Sequence, residues 1–393
     1  MLPAELGALL DATPPFISVC LDVSRLNRAA GDDVQLHWGQ LARRLEERDA
    51  PAETIEALGE AVTSPTGLGG EHARVAVAAG GKVVVDLVLP GRPPRDECLV
   101  GPVPHLMPVA RALADAVPYA LVRLDRTGAD VQVFSAAGQI EDERVFEGDN
   151  DVLHKVPAGG WSQRRYQQRV EDSWARNAAQ VADRLSRVVK RAGLELVLVA
   201  GDVHAVVELT GRADAELQQR LVVLDSGGRA AGVSPEAEQE AVDAALAEHI
   251  SQRRRAVLDE YVEQLSRQQR AVEGLGPVVE VLRRGQVQRL VLLDDPTSTA
   301  KLWVGEAPQQ VGLTEQDVLD AGAQAAQEVR ADAALLWAVL GTDADISLVG
   351  DETGSMRDGI GALLRWSDPA TPHDEVPSMP GHGEGPGTTG NVE

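Results

Sequence analysis

The residues best equipped for chemistry stand together in the run His154-Lys155-Val156-Pro157-Ala158-Gly159-Gly160-Trp161-Ser162-Gln163-Arg164-Arg165-Tyr166. Gly159 and Gly160 have no side chain and accept backbone angles closed to other residues, so the chain there can lie close against a ligand. Ser162 and Gln163 add polar reach, Trp161 and Tyr166 add flat rings that stack on bases, and Arg164, Arg165 and Arg169 add guanidinium groups suited to phosphate. From Arg164 to Arg191, Arg164, Arg165, Arg169, Arg176, Arg184, Arg187, Lys190 and Arg191 face only Glu171, Asp172 and Asp183, in a chain of formal net charge −24. Such a stripe would give RNA contacts that weaken steeply with salt. The commoner outcome for this pattern is an ordinary surface loop and a solvated helix face, with Trp174 in the core, and the residue types alone leave both readings open.

The loop must be held by elements on either side of it. Before it, Tyr119 to Asp125 and Ala129 to Ser135 read as strands joined by Arg126-Thr127-Gly128, with a third short strand near Glu143 to Phe146. After it, Tyr166, Val170, Trp174, Ala178, Val181, Leu185 and Val188 recur at steps of three and four, which predicts an amphipathic helix ending at Gly193. Leu194 to Ala200 is then a buried strand, and another helix and the strand Arg220 to Asp225 complete an α/β layer.

The flanking segments are α/β as well. Phe16 to Ser24 predicts a strand, 33 to 48 and 52 to 62 predict helices, and Arg74 to Ala79 and Lys82 to Leu89 form a hairpin about Gly80-Gly81. Pro90, Pro93, Pro94, Pro102, Pro104 and Pro108 mark a boundary near residue 115. Ser234-Pro235-Glu236 opens a long helix running towards Gly274 that should bridge the second and third domains. Beyond it come a helix over 276 to 284, a strand at Gln288 to Leu293, a helix opened by Thr314-Glu315-Gln316-Asp317 and a strand at Ile346 to Val349. The expected domains are therefore 1–115, 116–233 and 234–367, followed by a disordered tail over 368–393 that is rich in Pro and Gly.

Bulk properties narrow the function. With 61 acidic against 37 basic residues, the chain is not a protein that coats nucleic acid through a basic surface, so RNA contact must be local and DNA is not an expected partner. Cys20 and Cys98 are too few for a disulfide framework, and no Cys/His cluster has zinc-ligand spacing. No signal peptide and no run of 18 apolar residues is present, so the expectation is a cytoplasmic protein with no membrane partner. The phosphate-loop and dinucleotide fingerprints and the nucleophile-elbow motif are missing, so neither metal nor cofactor is expected. Gly201-Asp202 reads as a polar helix start, His204 as a surface residue near a helix terminus, and Arg253-Arg254-Arg255 as an RNA contact or a solvated helix face.

The order of strand meander, Gly-Gly-X-Ser-Gln-Arg-Arg loop, basic helix and buried strand resembles the middle domain of the archaeo-eukaryotic release factors. Asp358-Gly359-Ile360-Gly361-Ala362-Leu363-Leu364-Arg365-Trp366 resembles the ending of their C-terminal domain, although those residues are also what a closing strand needs. The chain as a whole is most similar to the actinobacterial proteins of bacterial archaeo-eukaryotic release factor family 2, relatives of the hibernation factor Balon and of Pelota. The resemblance covers about 119 to 367. It implies three domains of the α/β (α+β) class, the middle one ribonuclease H-like with the glycine-rich loop and the last of the release-factor, L7Ae-like type.

It also implies a ribosome-binding hibernation factor that occupies the A site and peptidyl transferase centre of idle ribosomes. On that reading Arg164, Arg165 and Arg169 bind 23S rRNA phosphates, Gly159 and Gly160 permit close approach, and Trp161, Ser162 and Gln163 fill the centre. Elongation factor Tu accompanies relatives and is a candidate partner. The alternative is a peptidyl-tRNA hydrolase in which Gln163 orders water or stabilises the tetrahedral intermediate. Gln163 matches the family glutamine in type, but Trp161 and Ser162 separate it from Gly160, and no Asn-Ile-Lys-Ser tetrapeptide for stop-codon reading is present. A third reading is a stress-associated protein that binds a protein partner through its acidic surface and never meets RNA.

Overall fold

The computed structural model describes residues 3–24, 30–68, 71–125, 128–136, 140–147, 177–228, 234–350 and 356–372. The chain divides into two compact units, one made of residues 1–114 and 254–393 and the other of 115–253.

In the first unit, β1 (Phe16–Asp22) is the inner strand of an antiparallel sheet. Its alternation places Ile17, Val19 and Leu21 on one face and Phe16 and Cys20 on the other. The helices α1 (Ala30–Glu46) and α2 (Ala52–Thr63) cover the first face with Leu41, Leu45, Leu58 and Val62. β2 (His72–Ala79) and β3 (Lys82–Pro90) form the hairpin expected at Gly80-Gly81, whose φ angles of 56° and 78° suit a two-residue turn. The proline-punctuated stretch is not all linker. It holds β4 (Glu97–Gly101), which pairs with β1, and α3 (Met107–Ala114), giving the order β3-β2-β1-β4. Cys20 and Cys98 lie on opposite faces of this sheet, both buried and free, and burial pushes the Cys20 thiol up to about 12.

The second unit is a five-stranded sheet. β5 (Tyr119–Leu124), β6 (Gly128–Phe134) and β7 (Ile140–Glu147) form the expected meander, and Tyr119 stacks on Phe134 with ring centroids 4.5 Å apart. Helix α4, residues 177–192, ends at Gly193 with φ 60°, and it buries Val181, Leu185 and Val188 as the periodicity predicts. β8 (Leu196–Gly201) then pairs parallel to β5. After α5 (Val203–Arg212) and α6 (Ala215–Arg220), β9 (Leu221–Val223) pairs parallel to β8. The sheet order is β7-β6-β5-β8-β9, with β6 antiparallel to both of its neighbours. Residues of α4, α5 and α6 cover one face, and Ala241, Val242, Ala245, Leu246 and Ile250 of α7 (Pro235–Ser266) cover the other.

Helix α7 stops at Ser266, short of the expected Gly274, because Ala271–Glu273 is captured as the edge strand β10. There follow α8 (Leu275–Arg283), β11 (Val287–Leu293), β12 (Lys301–Val304), β13 (Val311–Gly312), α9 (Glu315–Asp320), β14 (Gln327–Arg330), α10 (Ala331–Gly341), β15 (Asp345–Val349) and β16 (Ile360–Leu364). They build the sheets β10-β16-β11-β15 and β13-β12-β14. The residues of α9 are capped as expected by Thr314, which exchanges side-chain and backbone bonds with Asp317. The N-terminal and C-terminal segments, read from the sequence as separate domains, share one core. Leu6, Leu9, Phe16, Met107, Leu282, Leu336 and Trp337 belong to a single apolar cluster, with Phe16 and Trp337 centroids 5.6 Å apart. Arg111 donates to Asp294 through Nε and Nη2 at 2.8–3.0 Å, which ties the same two segments by charge. The tail expectation is corrected at its start. Thr371 is buried and accepts from Gln286, and Arg284 donates to the carbonyl of Ala370 at 2.9 Å, so residues 368–372 are docked.

In the ending 358–366, Asp358, Gly359 and Gly361 each have a structural job. Asp358 accepts the Leu275 N–H at 3.0 Å and so caps α8, Gly359 lies against Leu293 with φ 67°, and Gly361 leaves room for the Tyr261 ring. A Cβ on Gly361 would lie 2.4 Å from the Tyr261 hydroxyl oxygen, which is buried and has no hydrogen-bond partner among the described residues. Gly361→Ala should therefore destabilise the first unit by about 1–3 kcal/mol, whereas Tyr261→Phe should be neutral or mildly stabilising in denaturant unfolding.

Candidate functional site

The site predicted from the sequence, Gly159, Gly160, Trp161, Ser162, Gln163, Arg164, Arg165 and Arg169, lies outside the described residues, as do Tyr166 and Trp174. The structure describes the two elements that deliver the chain to it and take it back, β7 and α4, and the ground between them.

Asn177 and Ala178, at the start of the described part of α4, line a small cleft with Leu124, Asp125, Gly128, Val181, His204, Ala205, Glu208 and Leu209. This is the carboxyl end of the parallel pair β5 and β8, where α/β sheets commonly place their ligands. The cleft wall is mainly apolar, with Asp125, Asn177, His204 and Glu208 as its polar members. Asp202, beside it, has its carboxylate committed to the backbone N–H groups of His204 and Ala205 at 3.0 and 3.2 Å, which is the polar helix start expected for Gly201-Asp202. Among the described residues no group of three His, Cys, Asp or Glu side chains could hold a metal ion.

The end of β8 is built on glycine. Gly201 has φ 139°, and a Cβ there would fall 1.9 Å from the Leu124 carbonyl oxygen. Gly228, with φ 138°, lies against the Gly201 backbone, and Gly227 lies against Ala200 and Glu238. Glu238 of α7 is buried and accepts the Gly228 N–H at 3.2 Å while Arg123 of β5 donates to it from Nε to Oε1 and Oε2 at 2.9 and 2.8 Å and from Nη2 to Oε2 at 2.6 Å. Sequence reading missed this clamp because Arg123 and Glu238 are far apart in the chain and neither belongs to a motif. It closes the strand ends that lead to the cleft.

The basic stripe predicted for 164–191 is described only over its second half. There Arg184, Arg187, Lys190 and Arg191 are exposed on α4, and Val181, Leu185 and Val188 face the core, so these cations occupy the solvent side of the helix. Sequence reading missed two partners on β7. Asp142, Arg144 and Phe146 alternate onto the α4 side, and the guanidinium carbon of Arg184 sits 5.0 Å from the Phe146 ring centroid. Arg144 donates through Nε to Asp142 at 2.7 Å, and that bond holds the exposed Asp142 carboxyl below the usual carboxylate range. The alternation of Ile140–Glu147 was the signal that could have found them. Of the arginine triplet, Arg253 is engaged by the fold, donating to the Ala116 carbonyl at 3.1 Å and to Glu195 at 3.0 Å.

The family model of bacterial archaeo-eukaryotic release factor family 2 matches residues 118–267. The matched segment spans the five-stranded sheet, the residues between β7 and α4, and the whole of α7. Two curated relatives, the uncharacterized proteins Rv2629 and MT2704 of Mycobacterium tuberculosis strains H37Rv and CDC 1551, are each 29% identical over 374 residues, covering 93% of this chain and 97% of theirs. Among solved structures, Archaeoglobus fulgidus Pelota aligns at 15% identity with a TM-score of 0.35, over 75% of this chain and 80% of its own. Saccharomyces cerevisiae Dom34 aligns at 11% with 0.38, over 77% and 83%, and the archaeal termination factor aRF1 at 16% with 0.25, over 92% and 97%.

Removing the backbone freedom at the end of β8 should open the second unit. Gly201→Ala is expected to cost about 3 kcal/mol or more through strain and overlap. Asp202→Ala, which removes only a helix cap, should cost about 1 kcal/mol. Hydrogen exchange read by mass spectrometry should show lost protection in peptides of β5 and β8, with β1 and β2 unchanged.

Proposed function

We propose that this protein is a ribosome-binding factor of the release-factor type that does not read codons, and that it shields idle ribosomes by placing the loop at Gly159 to Gln163 in the peptidyl transferase centre. The observation that carries the reading is the position of that loop inside the family match, 118–267, between the strand meander and the basic helix. The sheet order of 115–253 supports the ribonuclease H-like reading of this domain. In this proposal Gly159 and Gly160 allow close approach, Trp161, Ser162 and Gln163 fill the centre by stacking and hydrogen bonding, and Arg164, Arg165 and Arg169 hold 23S rRNA phosphates around the A site. Elongation factor Tu is the candidate accessory partner, and the cytoplasm is the compartment the reading requires.

The second reading, peptidyl-tRNA hydrolysis, draws on Gln163. Ester cleavage by this route needs an ordered water and donors for the developing oxyanion, both of which a positioned amide can supply. Two residues, Trp161 and Ser162, displace Gln163 from the glycine pair, which favours protection over cleavage.

Ribosomes carrying peptidyl-tRNA separate the two when co-sedimentation and peptide release are scored together. Binding without release, unchanged in Gln163→Ala and lost when Arg164, Arg165 and Arg169 are replaced by Gln, is the expected result. Release that collapses in Gln163→Ala would make the protein a hydrolase, and no binding to empty or loaded ribosomes would overturn both readings.

A further inference from the structure

Between β7 and α4 the middle unit carries an open groove lined by Arg144, Arg184, Arg187 and Arg191, with Phe146 among its apolar walls and Glu141 and Asp142 on its acidic side. Arg184, Arg187 and Arg191 follow one another at steps of three and four, so they lie along one side of α4 over roughly 10 Å. The cation–π contact with Phe146 positions the Arg184 guanidinium, and Arg187 donates to its own helix at the Asp183 carbonyl, 3.1 Å away.

These three arginines are grouped in one groove without a salt bridge among the described residues, the nearby Asp142 being held by Arg144 and feeling Arg191 only through space. Acidic residues outnumber basic ones 61 to 37, so a surface cation here has a surplus of carboxylates to meet. Elsewhere arginines do meet them, as in the pairs Arg74–Asp86, Arg111–Asp294, Arg123–Glu238, Arg220–Glu216, Arg289–Asp345 and Arg330–Asp332. Among the described residues, Arg184, Arg187 and Arg191 form no salt bridge, although Asp142 stands in the same groove and is taken by Arg144. Keeping three guanidinium groups in a row beside one another, in a chain of net charge −24, costs repulsion that an anionic ligand removes. A line of guanidinium groups with no enclosed pocket fits a repeated anion, the backbone phosphates of a nucleic acid, better than a single phosphate. No free aromatic platform for stacking a base lies in the groove, because Phe146 is already covered by Arg184.

We infer that the groove between β7 and α4 is an RNA-backbone site, independent of base sequence and separate from the glycine loop. The choice of RNA over DNA rests on the ribosomal reading above; the choice of a polyphosphate backbone rests on the groove itself.

The test uses the full chain and labelled 12-nucleotide RNA, single-stranded and duplex, with duplex DNA alongside, by fluorescence anisotropy across a salt series. Arg184→Gln, Arg187→Gln and Arg191→Gln together should weaken RNA binding roughly tenfold or more at moderate salt and reduce the slope of log affinity against log salt by about 2–3. Glu141→Gln should tighten binding, a gain that misfolding cannot mimic, while Arg267→Gln with Lys301→Gln, both exposed and paired elsewhere, should change little. Unchanged affinity and slope in the triple variant, or no RNA binding by the wild type at low salt, would overturn the inference. A loss confined to the Arg164, Arg165 and Arg169 variant would also overturn it while leaving the loop reading intact. Groove-dependent binding to free RNA without co-sedimentation on ribosomes would do the reverse. Tighter, groove-dependent binding to duplex DNA would keep the phosphate site and overturn its assignment to RNA.

Discussion

Parallel pairing of β5 with β8 is the constraint from which the middle unit follows. Two parallel neighbours cannot be joined by a tight turn, so the chain must leave the sheet and return along a crossover. Here the departure is delayed by the meander, which carries the chain outward through β6 to β7 before α4 brings it back to the centre. The longest connection in the unit therefore starts at the sheet edge, and its described helix α4 runs from the cleft at the carboxyl end of the central pair, lined by Asn177, back to the amino end of β8. The glycine loop is carried on that connection. The close backbone contact of Gly201 with Leu124, backed by Gly228 and the Arg123–Glu238 pair, fixes the strand ends against which the returning chain is set.

Elements with a clear period were legible in the sequence. The Gly80-Gly81 hairpin, the meander at 119–147, the apolar stripe of α4 and its stop at Gly193 all rest on local signals, and each is where those signals place it. Elements without a period were not. Ala331–Gly341 is apolar on nearly every side because α10 is buried all round, so it offers no stripe to detect. β10 and β13 are only three and two residues long and exist because a neighbour supplies their hydrogen bonds. Of the candidate site, the residue types and the basic stripe were readable, while Arg144 and Phe146 entered only when register brought β7 alongside α4. The eight predicted site residues, from Gly159 to Gln163 with Arg164, Arg165 and Arg169, fall outside the described residues, and their reading rests on their types and on the family match.

Charge is distributed by the same logic at both scales. Across the chain the acidic excess suppresses indiscriminate contact with nucleic acid, and within the middle unit it makes any cation left without a carboxylate conspicuous. Two of the partly buried ion pairs, Arg123 to Glu238 and Arg111 to Asp294, join segments distant in sequence and so act as registration devices for the fold. The ending at 358–366, read in the sequence as a resemblance, is likewise explained by the capping of α8 and packing around Tyr261.

The shared core of the first unit bears on how the chain is made. Its N-terminal sheet is complete by Gly101, yet Trp337 and much of the apolar cluster on its second face, beyond Leu6, Leu9, Met107 and Val109, are encoded after the whole middle unit. At roughly 5–20 residues per second, a nascent chain waits on the order of ten to forty seconds between the two. During that interval Phe16, Val75 and Val77 have no cover from the C-terminal segment, while the middle unit has all of its own strands in hand. Synthesis from the N-terminus thus favours a middle-first order of maturation, in which the inserted unit settles on its own and the two chain ends close on each other last.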